Sequence, residues 1–159
     1  MHPNQQLIQN FYEAFARKDY KAMAACYHPE ATFKDEVFSL KGKEIAAMWH
    51  LLCERGADLE LSFSGIEADD NTGKANWEAW YHFSQSGKRV HNVIQSAFTF
   101  KDGKILTQRD TFNFYSWMSQ ALGWMGRLFG WTGFLQNKVK ERASENIKRF
   151  IRKHTQYQE

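Results

Sequence analysis

Two aspartates stand in apolar, ring-rich surroundings: Asp35 in FKDEVF and Asp110 in QRDTF. An apolar pocket disfavours the charged form of a carboxylic acid and lifts its pKa towards neutrality. Two such groups facing one cavity can divide a reaction. One takes a proton as base, and the other, kept neutral by its neighbour, donates as acid. That is the chemistry of proton transfer or of water addition. Both positions also have structural readings. Asp35 can cap backbone amides in a loop, and Asp110 can pair with Arg109 or with polar groups of the first helix. A buried unpaired carboxylate is expensive, so two in one cavity call for a ligand, a water or a catalytic role.

The surrounding sequence supplies elements that would hold them. Leu7, Ile8, Phe11 and Phe15 recur at helical spacing and predict an amphipathic helix over 5–17. Asp19 fits the N-cap of a short second helix, 20–27, which His28-Pro29 ends. Residues 31–38 read as a short strand. Gly42 marks a turn into a third helix, 43–55, presenting Ile45, Met48, Trp49 and Leu52. After Gly56 the period changes to two. Three long strands follow, 74–84, 89–101 and 104–114, joined at Ser86-Gly87 and Asp102-Gly103. Alternation turns one face of each strand inward. The inward set includes Trp77 and Tyr81, then Asn92, Ser96 and Phe98, then Gln108, Asp110 and Phe112. With Phe11, Phe15 and Trp49 from the helices, these are the candidate substrate-binding residues. Glu78, Trp80, His82, His91, Gln95 and Arg109 fall on the outer face.

Composition narrows the class. The chain has 159 residues, 43% hydrophobic and 25% charged, which excludes disorder and a collagen-like rod. A net charge of +3 is too mild to argue for nucleic acid. Phe, Trp and Tyr make up 16% of the chain, so rings line either a core, a pocket or a surface. Two cysteines, Cys26 and Cys53, make no disulfide framework and read as reduced core thiols. The six histidines show no metal spacing such as HExxH. No cofactor and no metal are expected. The start lacks a signal-peptide core and no apolar run is long enough to span a bilayer, so a cytoplasmic protein is expected.

The order of elements predicts an α+β fold with helices covering one face of a curved sheet. Three segments carry a family resemblance: LIQNFYEAFARKDYKAMAACYHPEATFKDEVF, LKGKEIAAMW and AFTFKDGKILTQRDTFNF. They resemble the SnoaL-like, ketosteroid-isomerase-like branch of the nuclear-transport-factor-2-like (NTF2-like) superfamily, over residues 5–114. The resemblance implies a cone: three N-terminal helices on a strongly curved, mostly antiparallel sheet enclosing an apolar pocket. It implies cofactor-free chemistry on a small apolar substrate, or non-catalytic binding of an apolar ligand. Dimerisation through the outer sheet face is implied as well. Asp35 matches the position of the isomerase general base. Phe11 and Ser96 stand at the positions of the isomerase's two oxyanion donors, and Phe11 cannot donate. Tyr12, next along the helix, is offset by about 100°. Asp110 matches an aspartate of limonene epoxide hydrolase, but Trp77-Glu78-Ala79 replaces the Arg-x-Asp half of that enzyme's constellation.

Residues 115–159 form a helical extension to the 1–114 domain and differ in character. They carry 8 basic and 3 acidic residues, against 13 and 15 before them. Trp117, Trp124 and Trp131 lie here with Gly123, Gly126, Gly130 and Gly133. Those glycines predict short helices separated by turns, since each interior glycine costs about 1 kcal/mol of helix stability. The segment suits a lid, a dimer contact or an interaction surface. Membrane contact by 115–153 is the lesser alternative to a solvated basic helix face.

Overall fold

The computed structural model describes residues 1–158. Helices α1 (Pro3–Ala16), α2 (Tyr20–Ala25) and α3 (Lys43–Arg55) pack on a six-stranded sheet. The strands are β1 (Tyr27–Lys34), β2 (Ser39–Lys41), β3 (Glu60–Ala68), β4 (Thr72–His82), β5 (Arg89–Lys101) and β6 (Lys104–Thr111), in spatial order β2-β1-β6-β5-β4-β3. Every pairing is antiparallel except β1 with β6. The helices cover one face of this curved, open sheet, giving the α+β cone expected. Three further helices follow: α4 (Phe114–Leu122), α5 (Trp124–Phe129) and α6 (Gly133–Lys153).

Local chemistry sets the boundaries. Pro3 opens α1, where its missing N–H is not needed, and the His2 side chain accepts from the Asn4 amide. Asp19 caps α2 by accepting from the Ala22 amide at 3.0 Å. The helix ends at Ala25, two residues earlier than its pattern predicts, and β1 begins at Tyr27 rather than 31. Pro29 therefore lies inside a strand. It is tolerated because the β1–β6 register shifts between Tyr27 and Thr32, where no N–H is required. The three-residue strand β2 gave no pattern of its own and exists through its pairing with β1. At the far end, β6 stops at Thr111 because Asn113 turns the chain and caps α4, accepting from the Ser116 amide at 2.9 Å.

Strand alternation behaves as expected. Ala75, Trp77 and Ala79 of β4 are buried, as are Ile94, Ser96 and Phe98 of β5 and Gln108 and Asp110 of β6. Ser96 is opposite Asp110, and Trp77 is opposite Ile94. The core beneath α1 is a mesh of edge-on rings. Phe11 packs on Tyr12, Tyr27 and Trp49 at centroid distances of 5.1–5.6 Å, and Phe15 packs on Trp49 and Trp77.

The extension divides at its glycines. Gly123 takes φ +65° and separates α4 from α5. Gly126 presses on α4 so closely that a Cβ there would lie 2.0 Å from the Met118 carbonyl oxygen. α6 returns across α3, burying Ile147 and Phe150. Among the described residues no helix is long and apolar enough to cross a membrane. Cys26 and Cys53 are buried free thiols.

Candidate functional site

A cavity of about 530 Å³ opens between the inner sheet face, α3 and the extension. Its walls are largely apolar, with Phe15, Trp49, Trp77, Ile94 and Phe112 among them. Asp35 and Asp110 both face it, with Tyr81 and Asn92. The parallel β1–β6 pairing brings the two aspartates together. Lys34 is opposite Arg109, so the chain reaches Asp35 beside Asp110.

Asp110 sits in a buried relay. Ser96 Oγ donates to Asp110 Oδ1 at 2.6 Å, and Gln108 Nε2 donates to the same oxygen at 3.0 Å. Ser96 Oγ in turn accepts from Tyr12 Oη at 2.8 Å and from Trp77 Nε1 at 3.0 Å. One donor site and two acceptor sites use the hydroxyl's full capacity. Gln108 Oε1 accepts from the Tyr27 hydroxyl, which accepts from Trp49 Nε1 at 3.0 Å. Asp110 Oδ2 carries no hydrogen bond. No buried side-chain polar atom is left unpartnered among the described residues, so Oδ2 opens onto the cavity. Burial pushes the Asp110 carboxyl up to about 7, against the Ser96 and Gln108 hydrogen bonds and with added repulsion from Asp35. Burial also raises the Tyr12 and Tyr27 hydroxyls well above their ordinary range, so both remain donors at neutral pH.

Asp35 is held differently. Its Oδ1 accepts from the Val37 and Phe38 amides at 2.7 and 2.6 Å, and its own amide donates to the Phe38 carbonyl. The capping role expected from the loop is therefore real, and it fixes one oxygen while the other is without a partner. Burial raises this carboxyl to about 6, against the pull of the two amides. Arg109 does not reach either carboxylate on the cavity side. It pairs with Glu36 at 3.1 Å and donates to the Asp35 carbonyl at 3.3 Å on the outer face. The Tyr81 hydroxyl accepts from Trp117 Nε1 at 2.8 Å, which leaves its own proton free for a ligand.

Six of the ten expected binding residues line the cavity: Phe15, Trp49, Trp77, Tyr81, Asn92 and Phe112. Ser96 and Gln108 lie one layer behind it, where they hold Asp110. Phe11 and Phe98 are core residues, buried to 0% and 2% exposure, because α1 packs the narrow end of the cone solid. The donor from α1 is Tyr12, not Phe11. Its ring lies between Phe63 and Trp77 and aims the hydroxyl at Ser96. The 100° offset points Tyr12 away from Phe11, but both are buried, Phe11 against Tyr27 of β1 and Trp49 of α3, and Tyr12 against Phe63 and Trp77 of β3 and β4. The extension, for which a lid is one of the readings, supplies Trp117, Leu122, Leu135, Val139 and Arg142 to the wall from α4 and α6, and none of these is among the expected binding residues.

A second cluster joins the end of the chain to α3. Ligand atoms of His50, Glu54 and His154 all lie within 4.8 Å of one another, and no spacing in the sequence pointed to this. His50 stacks on Tyr20 at 3.7 Å and shares a 2.8 Å hydrogen bond with Tyr157 Oη. His154 stacks on Phe150 at 3.9 Å. The cluster pegs the short 3₁₀ turn Thr155–Tyr157 onto α3.

Fold and site together define a small pocket protein built on a cone. Residues 8–108 match the model of the SnoaL-like domain, and the chain belongs to that family. Among solved structures, a protein assigned as a SnoaL-like polyketide cyclase from Jannaschia sp. CCS1 superposes with a TM-score of 0.66 at 14% identity, covering 76% of this chain and 92% of that one. An NTF2-like protein of unknown function from Burkholderia pseudomallei gives 0.65 at 15% identity, covering 76% and 98%. An LEH-like epoxide hydrolase of M. tuberculosis gives 0.61 at 18% identity, covering 79% and 94%. At these identities the likeness concerns the fold. No curated protein matches the chain.

Proposed function

We propose that the protein is a cofactor-independent enzyme that moves a proton on a small apolar substrate bound between Asp35 and Asp110. The observation that carries this reading is the pair of carboxyls, each with one oxygen tied down and one without a hydrogen-bond partner, on the same apolar cavity. Asp35, with the lower pKa of the two, is the base and takes a proton from carbon beside a carbonyl. Asp110, neutral over a wider pH range, donates its proton or a hydrogen bond to the oxygen on which charge develops. Tyr81 stands ready as a second donor. Returning the proton from Asp35 to another carbon gives an isomer and restores both acids. The same pair can direct water onto an epoxide, Asp35 taking a proton from the water and Asp110 giving one to the opening oxygen. Support comes from the fold, which is shared with an LEH-like epoxide hydrolase and with a protein assigned as a polyketide cyclase.

The test is solvent deuterium exchange into a soluble cyclic ketone, followed by NMR. Asp35 must be ionised and Asp110 protonated, so exchange should peak between about pH 6 and 7 and fall on both sides. Exchange that is absent, or unchanged in both Asp35→Asn and Asp110→Asn, sinks the enzymatic reading. The second reading is an apolar-ligand carrier, favoured by the walls of the cavity. It predicts saturable ligand binding with no exchange.

A further inference from the structure

Helix α5 packs the wrong way round for a helix of a water-soluble monomer. Its buried contacts are made by Gly126 and then by Gly130 just past its end. Gly126 lies on the α4 backbone, and Gly130 lies against the Tyr115 ring. The large side chains of α5 are exposed instead, although Met125 also borders the cavity. Trp124 is 67% exposed and Leu128 58%, and Met125 and Phe129 are nearly half exposed. Trp131 and Phe134 continue the surface at 73% and 75%. Tyr115 adds to it, and only Met1, Leu52 and Val93 are large exposed hydrophobics elsewhere among the described residues. A continuous patch of this kind on a soluble protein marks an interaction site.

Charge identifies the partner. No acidic residue occurs between Asp110 and Glu141, while Arg127, Lys138 and Lys140 lie in that interval. Lys138 sits over the Phe134 ring at 5.3 Å, a basic group held beside an apolar one. Exposed Trp, Phe and Leu rimmed by Lys and Arg match the headgroup and upper acyl region of an anionic bilayer. A second copy of the chain fits less well. A two-fold contact through this patch would set Arg127, Lys138 and Lys140 near their own symmetry mates. The three scattered hydrophobics elsewhere offer no complementary face.

The patch and the cavity share a wall. Leu122, Met125, Leu135 and Val139 of the same segment line the cavity on their inner side. We propose that α5 and the flanking ends of α4 and α6 dock on an anionic phospholipid bilayer, and that the cavity takes its apolar ligand from that surface. The delivery step rests on the cavity function proposed above, whereas the docking step does not.

The experiment is co-sedimentation of the full chain with vesicles of phosphatidylcholine alone and of phosphatidylcholine with phosphatidylglycerol. Binding should favour the anionic vesicles and should weaken strongly between about 50 mM and about 500 mM salt. Tryptophan emission should shift to the blue on binding. The variant Trp124→Ser/Leu128→Ser/Trp131→Ser should lose at least about tenfold in partitioning, with unchanged far-ultraviolet circular dichroism. It should still exchange deuterium into a soluble ketone, so failure of docking and failure of the cavity reading are separable. No vesicle binding at low salt overturns the proposal. A dimer in light scattering that dissociates in the triple variant overturns it in favour of a second copy. Equal binding to neutral and anionic vesicles overturns the assigned role of the basic rim.

Discussion

The floor of the cavity and its cover solve opposite problems. The floor buries polar groups and satisfies them: Tyr12, Trp77, Ser96, Gln108, Tyr27 and Trp49 form one hydrogen-bonded relay around Asp110. The cover, 115–134, does the reverse and leaves apolar rings in contact with solvent. In the floor, geometry is over-determined, so a single lost hydroxyl leaves several groups without a partner. In the cover, single side chains carry little folding energy, because each gives up little by remaining exposed. The floor thus fixes position, whereas the cover leaves its rings exposed.

This contrast can be broken at several strengths. The largest effect is expected on turnover. Asp35→Asn or Asp110→Asn should lower ketone exchange by about 10² to 10⁴-fold, with vesicle binding unaltered, as measured by NMR and co-sedimentation on the same preparations. Next is the pH dependence of stability. Both carboxyls are raised in the folded state, so the native protein holds protons that the unfolded chain releases between about pH 4 and 7. Their favourable contribution is full below pH 4 and is lost as pH rises through about 6 and 7. The free energy of urea unfolding should fall from pH 5 to pH 8 by on the order of a few kcal/mol, and Asp110→Asn should flatten the curve. A smaller loss follows from Ser96→Ala. It strands the Tyr12 hydroxyl, the Trp77 indole N–H and one hydrogen bond of Asp110, and should cost about 1–3 kcal/mol in urea unfolding. Smallest is Phe134→Ser in the cover, which should change unfolding free energy by less than about 0.5 kcal/mol. A large loss there would mean that the cover belongs to the core after all.

Much of the floor was legible in the sequence because strands have a strict period of two. Choosing the apolar face of β5 as inward fixed Ser96, Asn92 and Ile94 together, and pairing then carried Gln108 and Asp110 with them. The limits of β5 and α3 were also readable, since Gly42, Gly56 and Asp102-Gly103 punctuate them. Helix α1 was less legible. A helical stripe says which side is buried but not which of two adjacent buried rings meets a partner 84 residues away, so Phe11 stood where Tyr12 acts. The short strand β2 was invisible because its existence depends on its neighbour. The cover was legible only in outline. Glycine spacing announced breaks, but whether α5 would turn its rings inward or outward depends on the approach of Gly126 to the Met118 carbonyl, a tertiary fact.

The parallel pairing of β1 with β6 has a consequence for how the molecule is made. Strands β3 to β6 are joined in sequence by short turns and can zip locally. Residue 34 meets residue 109 only after that whole meander exists. Closing so long a loop is slow. The β1–β6 hydrogen bonds should therefore be among the last to gain protection in pulse-labelled refolding. A nascent chain still missing residues 104–111 can pair its first strand only with the short β2. The two aspartates thus become neighbours only in the final stage of folding, and a chain truncated before β6 would carry Asp35 without Asp110.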